Sequence, residues 1–210
     1  MRRVSFLVDG FNLYHSIVDI GRNNKGLYVK WLNIDSLCKS FLPLLGKDTR
    51  LEQIYYFSAY AFHLKDPGVI QRHKKYIECL EATGIIAELG RFKFKEIKCP
   101  YCNKLIPRHE EKETDVSIGI KLCELLYNDK CDIIVLVTGD TDLAPAVRHT
   151  KKCLPHKAII FAFPYGRKNS ELEQIAPGSF KISKKSYIRH QFADPLLLPD
   201  GRKISKPAEW

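Results

Sequence analysis

The chain has 210 residues, 45% of them apolar, which is enough to build one ordinary globular domain with appendages. This composition excludes a disordered, collagen-like or coiled-coil structure for the chain as a whole. Thirty-four Lys and Arg residues against 24 Asp and Glu residues leave a formal charge of +10, which favours a polyanionic partner, although a basic surface can also serve solubility alone.

The sequence predicts a cytoplasmic protein with no membrane-spanning segment. The apolar run after Arg3 is short and is interrupted by Asp9, so it resembles a buried strand rather than a secretory signal. No uninterrupted apolar stretch approaches the about 20 residues that a transmembrane helix needs. The seven cysteines are an odd number, and most of them lie singly within apolar runs, as reduced thiols do.

Short apolar runs and helical patterns alternate through the N-terminal half. Val4–Val8 and Gln53–Phe57 are predicted strands with helical sequence between them. Val69–Ala82 has apolar residues at helical intervals, and this predicted helix begins after Asp66-Pro67-Gly68. Ile85–Leu89 is the next predicted strand.

The alternation continues through the C-terminal half. A helix ending at Asn128-Asp129 is predicted from apolar residues at three- and four-residue steps, namely Val116, Ile120, Cys123, Leu126 and Tyr127. Ile133–Val137 is an unbroken apolar run of the kind found in parallel sheets covered by helices, and Ala158–Phe163 is similar. Leu143–Lys151 is the helix between them. The chain is therefore predicted to form a doubly wound α/β domain, a three-layer sandwich with a central, mainly parallel sheet.

Two segments depart from this pattern. Residues Arg91–Lys112 are rich in basic residues and contain Cys99-Pro100-Tyr101-Cys102, which indicates an insertion between a strand and the next helix. Residues 183–210 are basic, contain several prolines and are predicted to be an irregular tail that wraps the domain or reaches a partner. The tail is a weak indication of a homodimer.

Acidic residues lie where the strands of such a sheet end. Asp9 follows the first strand, Asp140 and Asp142 follow Ile133–Val137, and Asp115 begins the intervening helix. Ligands of open α/β sheets bind at the carboxyl ends of the strands, so these side chains are expected to converge. Convergent carboxylates repel one another unless a cation compensates, and Mg²⁺ or Mn²⁺ prefers oxygen ligands. A metal held there could activate water against a phosphodiester, which predicts metal-assisted hydrolysis of nucleic acid.

Each aspartate also has an ordinary structural interpretation. Asp9-Gly10 can be a strand-end turn, Asp115 can favour a helix N-terminus, and Asp142 can cap its helix. A dinucleotide site would need a glycine-rich fingerprint after the first strand, which Asp9-Gly10-Phe11-Asn12 is not. An aspartate-nucleophile phosphatase would need a second Asp two positions after Asp9, where the chain has Phe11.

Three motifs together resemble the NYN family of PIN-like nuclease domains, and its LabA-like branch in particular. They are Asp9-Gly10-Phe11-Asn12-Leu13, Glu113-Thr114-Asp115-Val116 and Val137-Thr138-Gly139-Asp140-Thr141-Asp142-Leu143, and the resemblance covers roughly residues 1–182.

The resemblance implies a PIN-like fold and a Mg²⁺- or Mn²⁺-dependent ribonuclease, with RNA rather than DNA inherited from the family alone. It implies an acidic cluster of Asp9, Asp115 and Asp140, with Asp142 as an additional member. Asn12 would orient Asp9 or the attacking water, and Thr138 would support the site by hydrogen bonding. Glu113 either joins the cluster or faces solvent. The alternative is an RNA-binding or scaffold protein of the same fold with little or no activity.

The cysteine pair has the spacing of a zinc knuckle. Cys99 and Cys102 would supply two ligands and His109 a third, with a fourth from a distant residue or a second subunit. A lone pair is a weak signal, and a redox-active pair is the alternative interpretation.

Basic residues of the insertion alternate with apolar ones in the manner of a strand. An edge strand with one solvated face would explain this pattern without a ligand. The functional interpretation is that Lys93, Lys95 and Lys98 bind phosphates while Phe92, Phe94 or Tyr101 stacks on a base. Because alternation points the charges and the aromatic rings to opposite faces, phosphate binding with the aromatic residues in the core is favoured. Two helical residues are further candidates for phosphate binding, Lys121 and Arg148.

Overall fold

The computed structural model describes residues 1–24, 26–64, 66–176 and 178–210. Within these residues one sheet contains seven strands: β1 (Arg2–Asp9), β2 (Thr49–Ala59), β3 (Ile86–Lys98), β4 (Leu105–Lys112), β5 (Ile133–Val137), β6 (Ala158–Phe163) and β7 (Gly178–Lys181). Their order across the sheet is β4-β3-β2-β1-β5-β6-β7, and every neighbouring pair except β3 and β4 is parallel.

Helices cover both faces of the sheet: α1 (Gly10–Asn23), α2 (Ile34–Lys39), α3 (Leu42–Leu45), α4 (Pro67–Glu81), α5 (Thr114–Tyr127), α6 (Ala144–Cys153) and α7 (Ser170–Ile175). Alternate residues of β1 belong to two separate hydrophobic cores, one on each face of the sheet. Phe6 and Val8 pack with α1, α2 and α4, whereas Leu7 packs with α5, α6 and α7. The predicted α/β class with a mainly parallel central sheet is therefore confirmed.

The predicted strand Ile85–Leu89 and the strand-like alternation of the insertion belong to one long strand, β3, and Arg91–Lys112 forms a β-hairpin with β4. β3 pairs with β2 only as far as Gly90, and its remaining residues pair antiparallel with β4. The hairpin consequently extends beyond the edge at which the parallel strands end. Its second strand leads directly into α5, the helix that begins with Thr114 and Asp115.

The apolar face used to predict α5 is largely the solvent-facing one. Val116, Ile120 and Tyr127 are exposed, while the buried residues include Ile118 and Leu122. The helix is apolar on more than one side, so the periodicity identified a helix without identifying its buried face.

Residues 183–210 are more regular than their prolines indicated, and they pack against their own domain. They contain α8 (Lys184–Arg189) and a small hairpin of β8 (Leu196–Leu197) and β9 (Lys203–Ile204). The Tyr187 hydroxyl lies 2.9 Å from Ser16 Oγ of α1 and accepts a hydrogen bond from the Tyr165 N–H. The Phe192 ring packs against Trp31 with centroids 5.6 Å apart.

No helix in the described part of the chain combines the length and the apolarity that crossing a membrane would require.

The packing of this segment predicts a large cost for removing its buried ring. Phe192 is 5% exposed, so Phe192→Ala should lower the free energy of unfolding by about 3–5 kcal/mol in chemical denaturation. Leu197→Ala, at a residue 63% exposed in the same segment, is the matched control and should change it by less than about 0.5 kcal/mol. Equal, small effects of both substitutions would show that the segment does not belong to the folded core.

Candidate metal centre

The pairing of β1 with β5 brings two acidic turns together. Val8 lies opposite Val137 in the parallel register, so Asp9 and Thr138 leave the sheet side by side. Asp140 follows two residues later, and α5 delivers Asp115 to the same edge.

Three carboxylates converge at this point. One oxygen each from Asp9, Asp115 and Asp140 lies within 4.8 Å of the other two. Asp9 is only 4% exposed, and the other two side chains are partly buried. The convergence predicted from the strand ends is confirmed for these three aspartates, and the expectation that Asp142 joins them is wrong.

Asp9 is held by donors on both of its oxygens. The Asn12 N–H donates to Oδ1 at 3.0 Å, and the Thr138 hydroxyl donates to Oδ2 at 2.8 Å. Burial raises the pKa of Asp9, these two donors lower it, and the nearby Asp140 raises it. The hydrogen bond from the Asn12 N–H also caps α1, so Asp9 is both the N-cap of this helix and a member of the acidic cluster.

Asn12 ties the two turns to each other. Its side-chain oxygen accepts a hydrogen bond from the Gly139 N–H at 3.1 Å. The turn needs glycine at 139, since a Cβ there would overlap the carbonyl oxygen of Arg167. Gly10 has a similar constraint, because a Cβ would lie 2.5 Å from the Phe57 carbonyl oxygen. Asn12 is thus placed as a positioning residue between β1 and β5.

Asp140 and Asp142 have different environments. Asp140 Oδ1 accepts the Asp142 N–H at 3.0 Å and caps the short 3₁₀ turn over Thr141–Leu143 that precedes α6. The Asp140 N–H donates to Thr138 Oγ1 at 3.1 Å. Asp142 is exposed and lies outside the group of three converging carboxylates, although its charge contributes to raising the pKa of Asp115.

A fourth carboxylate, Glu111, stands beside the cluster and was not anticipated from the sequence. It lies in β4 opposite Phe92 and accepts a hydrogen bond from the Thr114 hydroxyl. Burial, followed by the charges of Asp115, Asp9 and Asp140, raises the pKa of Glu111 to about 7. Its only sequence signal is membership of the acidic run immediately before the helix that carries Asp115.

Glu113, by contrast, points away from the cluster. Its backbone is left-handed, with φ of 81°, and its carboxylate pairs with Arg91 at 2.7 Å. The choice left open by the sequence, between joining the cluster and facing solvent, is therefore resolved in favour of solvent.

The cluster fits a small divalent cation. Burial, followed by the charges of Asp140, Asp9 and Asp142, raises the pKa of Asp115 to about 6. Carboxyl groups with raised pKa values in close proximity are a repulsive arrangement that a cation would relieve. All of the donor atoms are carboxylate oxygens, which suit Mg²⁺ or Mn²⁺ rather than a thiophilic metal.

The structure separates His109 from the cysteine pair. Cys99 and Cys102 lie in the turn at the tip of the hairpin, where the Asn103 N–H donates to the Cys99 carbonyl at 2.9 Å. Backbone N–H groups of Cys102 and Tyr101 lower the pKa of the Cys99 thiol. His109 lies down the strand opposite Phe94, and its ring stacks on His63 at 4.2 Å. Among the described residues, these cysteines form no group of three potential ligands.

The hairpin has two distinct faces. Residues directly opposite in an antiparallel pair share a face, so Phe92, Phe94 and Lys98 lie on the face of Glu111. Lys93 and Lys95 lie on the other face, where Lys95 Nζ is 3.6 Å from Glu110. The expectation that Phe94 faces the core is wrong, because this residue is 54% exposed; its ring meets the His109 ring edge to face, with centroids 5.3 Å apart.

The two helical candidates for phosphate binding carry ion pairs. Lys121 Nζ lies 3.0 Å from Glu88 and 2.9 Å from Glu124, over the ring of Tyr55. Arg148 is half-exposed on α6 and lies 3.4 Å from Glu171. Lys121 is thus largely neutralised within the protein, whereas Arg148 keeps access to solvent.

Comparison with known proteins identifies the fold and one family. The family model described as NYN domain matches residues 3–183. A crystal structure of a protein of unknown function from Vibrio parahaemolyticus is similar to this chain with a TM-score of 0.56 and 16% identity, over 87% of this chain and 94% of that chain. A second solved structure is a deacetylase in the biosynthesis pathway of teicoplanin, in complex with teicoplanin. Its TM-score is 0.33 and its identity 10%, over 75% of this chain and 68% of that chain, a similarity too low to show a shared fold. No curated protein matches the chain.

We predict that Glu111 contributes to cation binding. Glu111→Gln removes a negative charge beside the cluster and should weaken Mn²⁺ binding to chelator-treated protein by about fivefold in calorimetric titration. Glu110→Gln is the matched control, since Glu110 lies on the other face of β4 and pairs with Lys112. Equal Mn²⁺ affinities of the two variants would contradict a role for Glu111.

Without a divalent ion, the cluster should make stability depend on pH. The pKa values of Asp115 and Glu111, about 6 and about 7, exceed the value of about 4 expected in an unfolded chain. The unfolded state therefore binds fewer protons than the folded state, and the free energy of unfolding falls as pH rises from about 4 to about 7.

Asp140→Asn tests this repulsion, because asparagine can still cap the 3₁₀ turn while carrying no charge. In chelator at about pH 8 its Tm should exceed that of the native chain, and near pH 4 the two should coincide, as calorimetric scans would show. Glu113→Gln, at a residue outside the cluster, should give no such pH-dependent difference in Tm. A lower Tm for Asp140→Asn at the higher pH would refute the repulsion.

Proposed function

The chain belongs to the NYN domain family, and from this membership and its acidic cluster we propose that it is a divalent-metal-dependent ribonuclease. The observation that carries the proposal is the convergence of Asp9, Asp115 and Asp140 within 4.8 Å at the carboxyl edge of a parallel sheet. The family supports nuclease chemistry, and the choice of RNA over DNA rests on the family alone.

The residues present are suited to Mg²⁺ or Mn²⁺. Asp9, Asp115 and Asp140 would hold the ion, with Glu111 beside them and Asp142 at the exposed margin. When bound, such an ion supplies Lewis acidity, lowers the pKa of water and neutralises charge on a phosphodiester.

Other residues of the chain position the Asp9 carboxylate and supply a proton acceptor. Thr138 and the Asn12 N–H hold the Asp9 carboxylate in one rotamer, and the amide of Asn12 fixes the Gly139 turn. Glu111, a half-buried carboxylate beside the three aspartates, would accept a proton from the attacking water. In the reaction we propose, water gives one proton to Glu111 and attacks phosphorus, the bond to the leaving oxygen breaks, and a proton from solvent passes to that oxygen.

The acidic cluster favours an enzyme over a scaffold that only binds RNA. Carboxylates repel a phosphate backbone, so a protein that only bound RNA would lose affinity by keeping them together. The surplus of ten positive charges over the whole chain would still attract the polyanion to the surface.

We also propose a cytoplasmic location, since all seven cysteines are free, as expected in a reducing compartment. The homodimer that the tail indicated stays a prediction; within one chain, residues 183–210 pack on their own domain.

The proposal predicts metal-dependent cleavage that Asp140→Asn abolishes. Purified protein with Mg²⁺ or Mn²⁺ should cleave single-stranded RNA, and Asp140→Asn should lower the cleavage rate by about a hundredfold or more, because a metal ligand is lost. RNA binding, measured by fluorescence anisotropy in chelator, should not weaken, since the substitution removes a charge that repels the backbone.

Glu113→Gln is the matched control, because it removes a neighbouring carboxylate that pairs with Arg91 outside the cluster. It should cleave at close to the native rate. Cleavage that survives Asp140→Asn, or that continues in chelator, would reject the proposal.

A further inference from the structure

A large cavity adjoins the acidic cluster. Its volume is about 740 Å³, within the usual range for small-molecule sites. Asp9, Asp115 and Asp140 line one part of it. Buried core residues line another part, including Ile34 and Tyr76, so the cavity penetrates the apolar core beneath α1 and α4.

Aromatic rings form much of the cavity wall. Phe11 and Phe92 meet edge to face with centroids 5.5 Å apart, and the His63 ring lies 4.5 Å from Phe92. Tyr56 and Tyr76 line the deeper part and also pack edge to face. The wall therefore offers ring faces and edges close to carboxylates that would hold a cation.

A few polar groups interrupt this apolar lining. His73 lines the cavity, and burial lowers its pKa to about 4, so its imidazole is neutral at physiological pH. Its Nε2 lies 3.4 Å from the Ser58 hydroxyl, which also lines the cavity. Neutral imidazole and hydroxyl groups can donate to or accept from the polar edge of a heterocycle without requiring a charged ligand.

We propose that this cavity receives an unstacked nucleobase from the nucleotide whose phosphate lies at the acidic cluster, an inference that rests on the proposed function. Stacking on aromatic side chains is the usual way in which proteins hold bases of single strands. A base paired in a duplex could not reach a cavity that extends into the core. The nucleotide that enters the cavity is therefore unpaired, and a nucleoside monophosphate is the probe that carries both the phosphate and the base.

The binding test compares molecules with and without a base. Native protein loaded with Mn²⁺ is titrated calorimetrically with each of the four ribonucleoside monophosphates and with ribose 5-phosphate. At least one nucleotide should bind about tenfold more tightly than ribose 5-phosphate, because stacking of a base on an aromatic ring is worth about 5- to 150-fold in affinity. Equal affinity for ribose 5-phosphate and all four nucleotides would overturn the proposal.

Two matched variants locate the binding. Phe92 lines the cavity, whereas Phe94, two residues along the same face of the hairpin, does not. Phe92→Leu should lose most of the advantage of the nucleotide over ribose 5-phosphate, and Phe94→Leu should keep it. Equal effects of the two substitutions would overturn the proposal. If Phe92→Leu fails to fold, Ala61→Leu, which fills part of the cavity without adding a ring, should abolish nucleotide preference while Mn²⁺ still binds.

The readouts separate this inference from the proposed function. Nucleotide preference without any cleavage of RNA would reject the ribonuclease and leave the base site standing. Cleavage of RNA without nucleotide preference would reject the base site and leave the ribonuclease standing.

Discussion

The arrangement of the molecule depends on keeping negative charges close together against their mutual repulsion. Parallel pairing of β1 with β5 fixes Asp9 beside Thr138 and brings Asp140 to the same edge. β5 is apolar and buried along its whole length, and β1 is buried from Val4 to Asp9, so packing on both faces of the sheet offsets the cost of assembling the carboxylates. Hydrogen bonds from Thr138 and from the Asn12 N–H then stabilise the ionised form of the most buried member.

The elements that could be predicted from the sequence are those whose position follows from local pattern. Unbroken apolar runs identified β5 and β6 as central strands, and the residues after β1 and β5 followed as site residues because parallel strands end at one edge. The fold class and the four candidate aspartates therefore required no knowledge of distant contacts, and the resemblance to the NYN family then distinguished Asp9, Asp115 and Asp140 from Asp142.

The parts that escaped prediction depend on pairing between segments. Glu111 reaches the cluster only because β4 folds back on β3 in one register, and a shift of one residue would present Glu110 instead. The same register puts Lys93 on the far face and leaves Phe94 exposed. His109 shows the limit of reasoning from spacing, since nearness to Cys102 along the chain did not place the two side chains together.

Two aspartates of the cluster also cap helical turns, and this changes how the sequence of a relative should be interpreted. Asp9 and Asp140 each accept a backbone N–H at the start of a helical turn, so folding alone favours an acidic or amide residue at both positions. Asp115 accepts no such capping bond, whereas Glu111 accepts hydrogen bonds from Thr114, the first residue of α5. A relative without the proposed activity would still have a structural reason to keep an acidic residue at positions 9, 111 and 140, and the loss would be recorded at position 115.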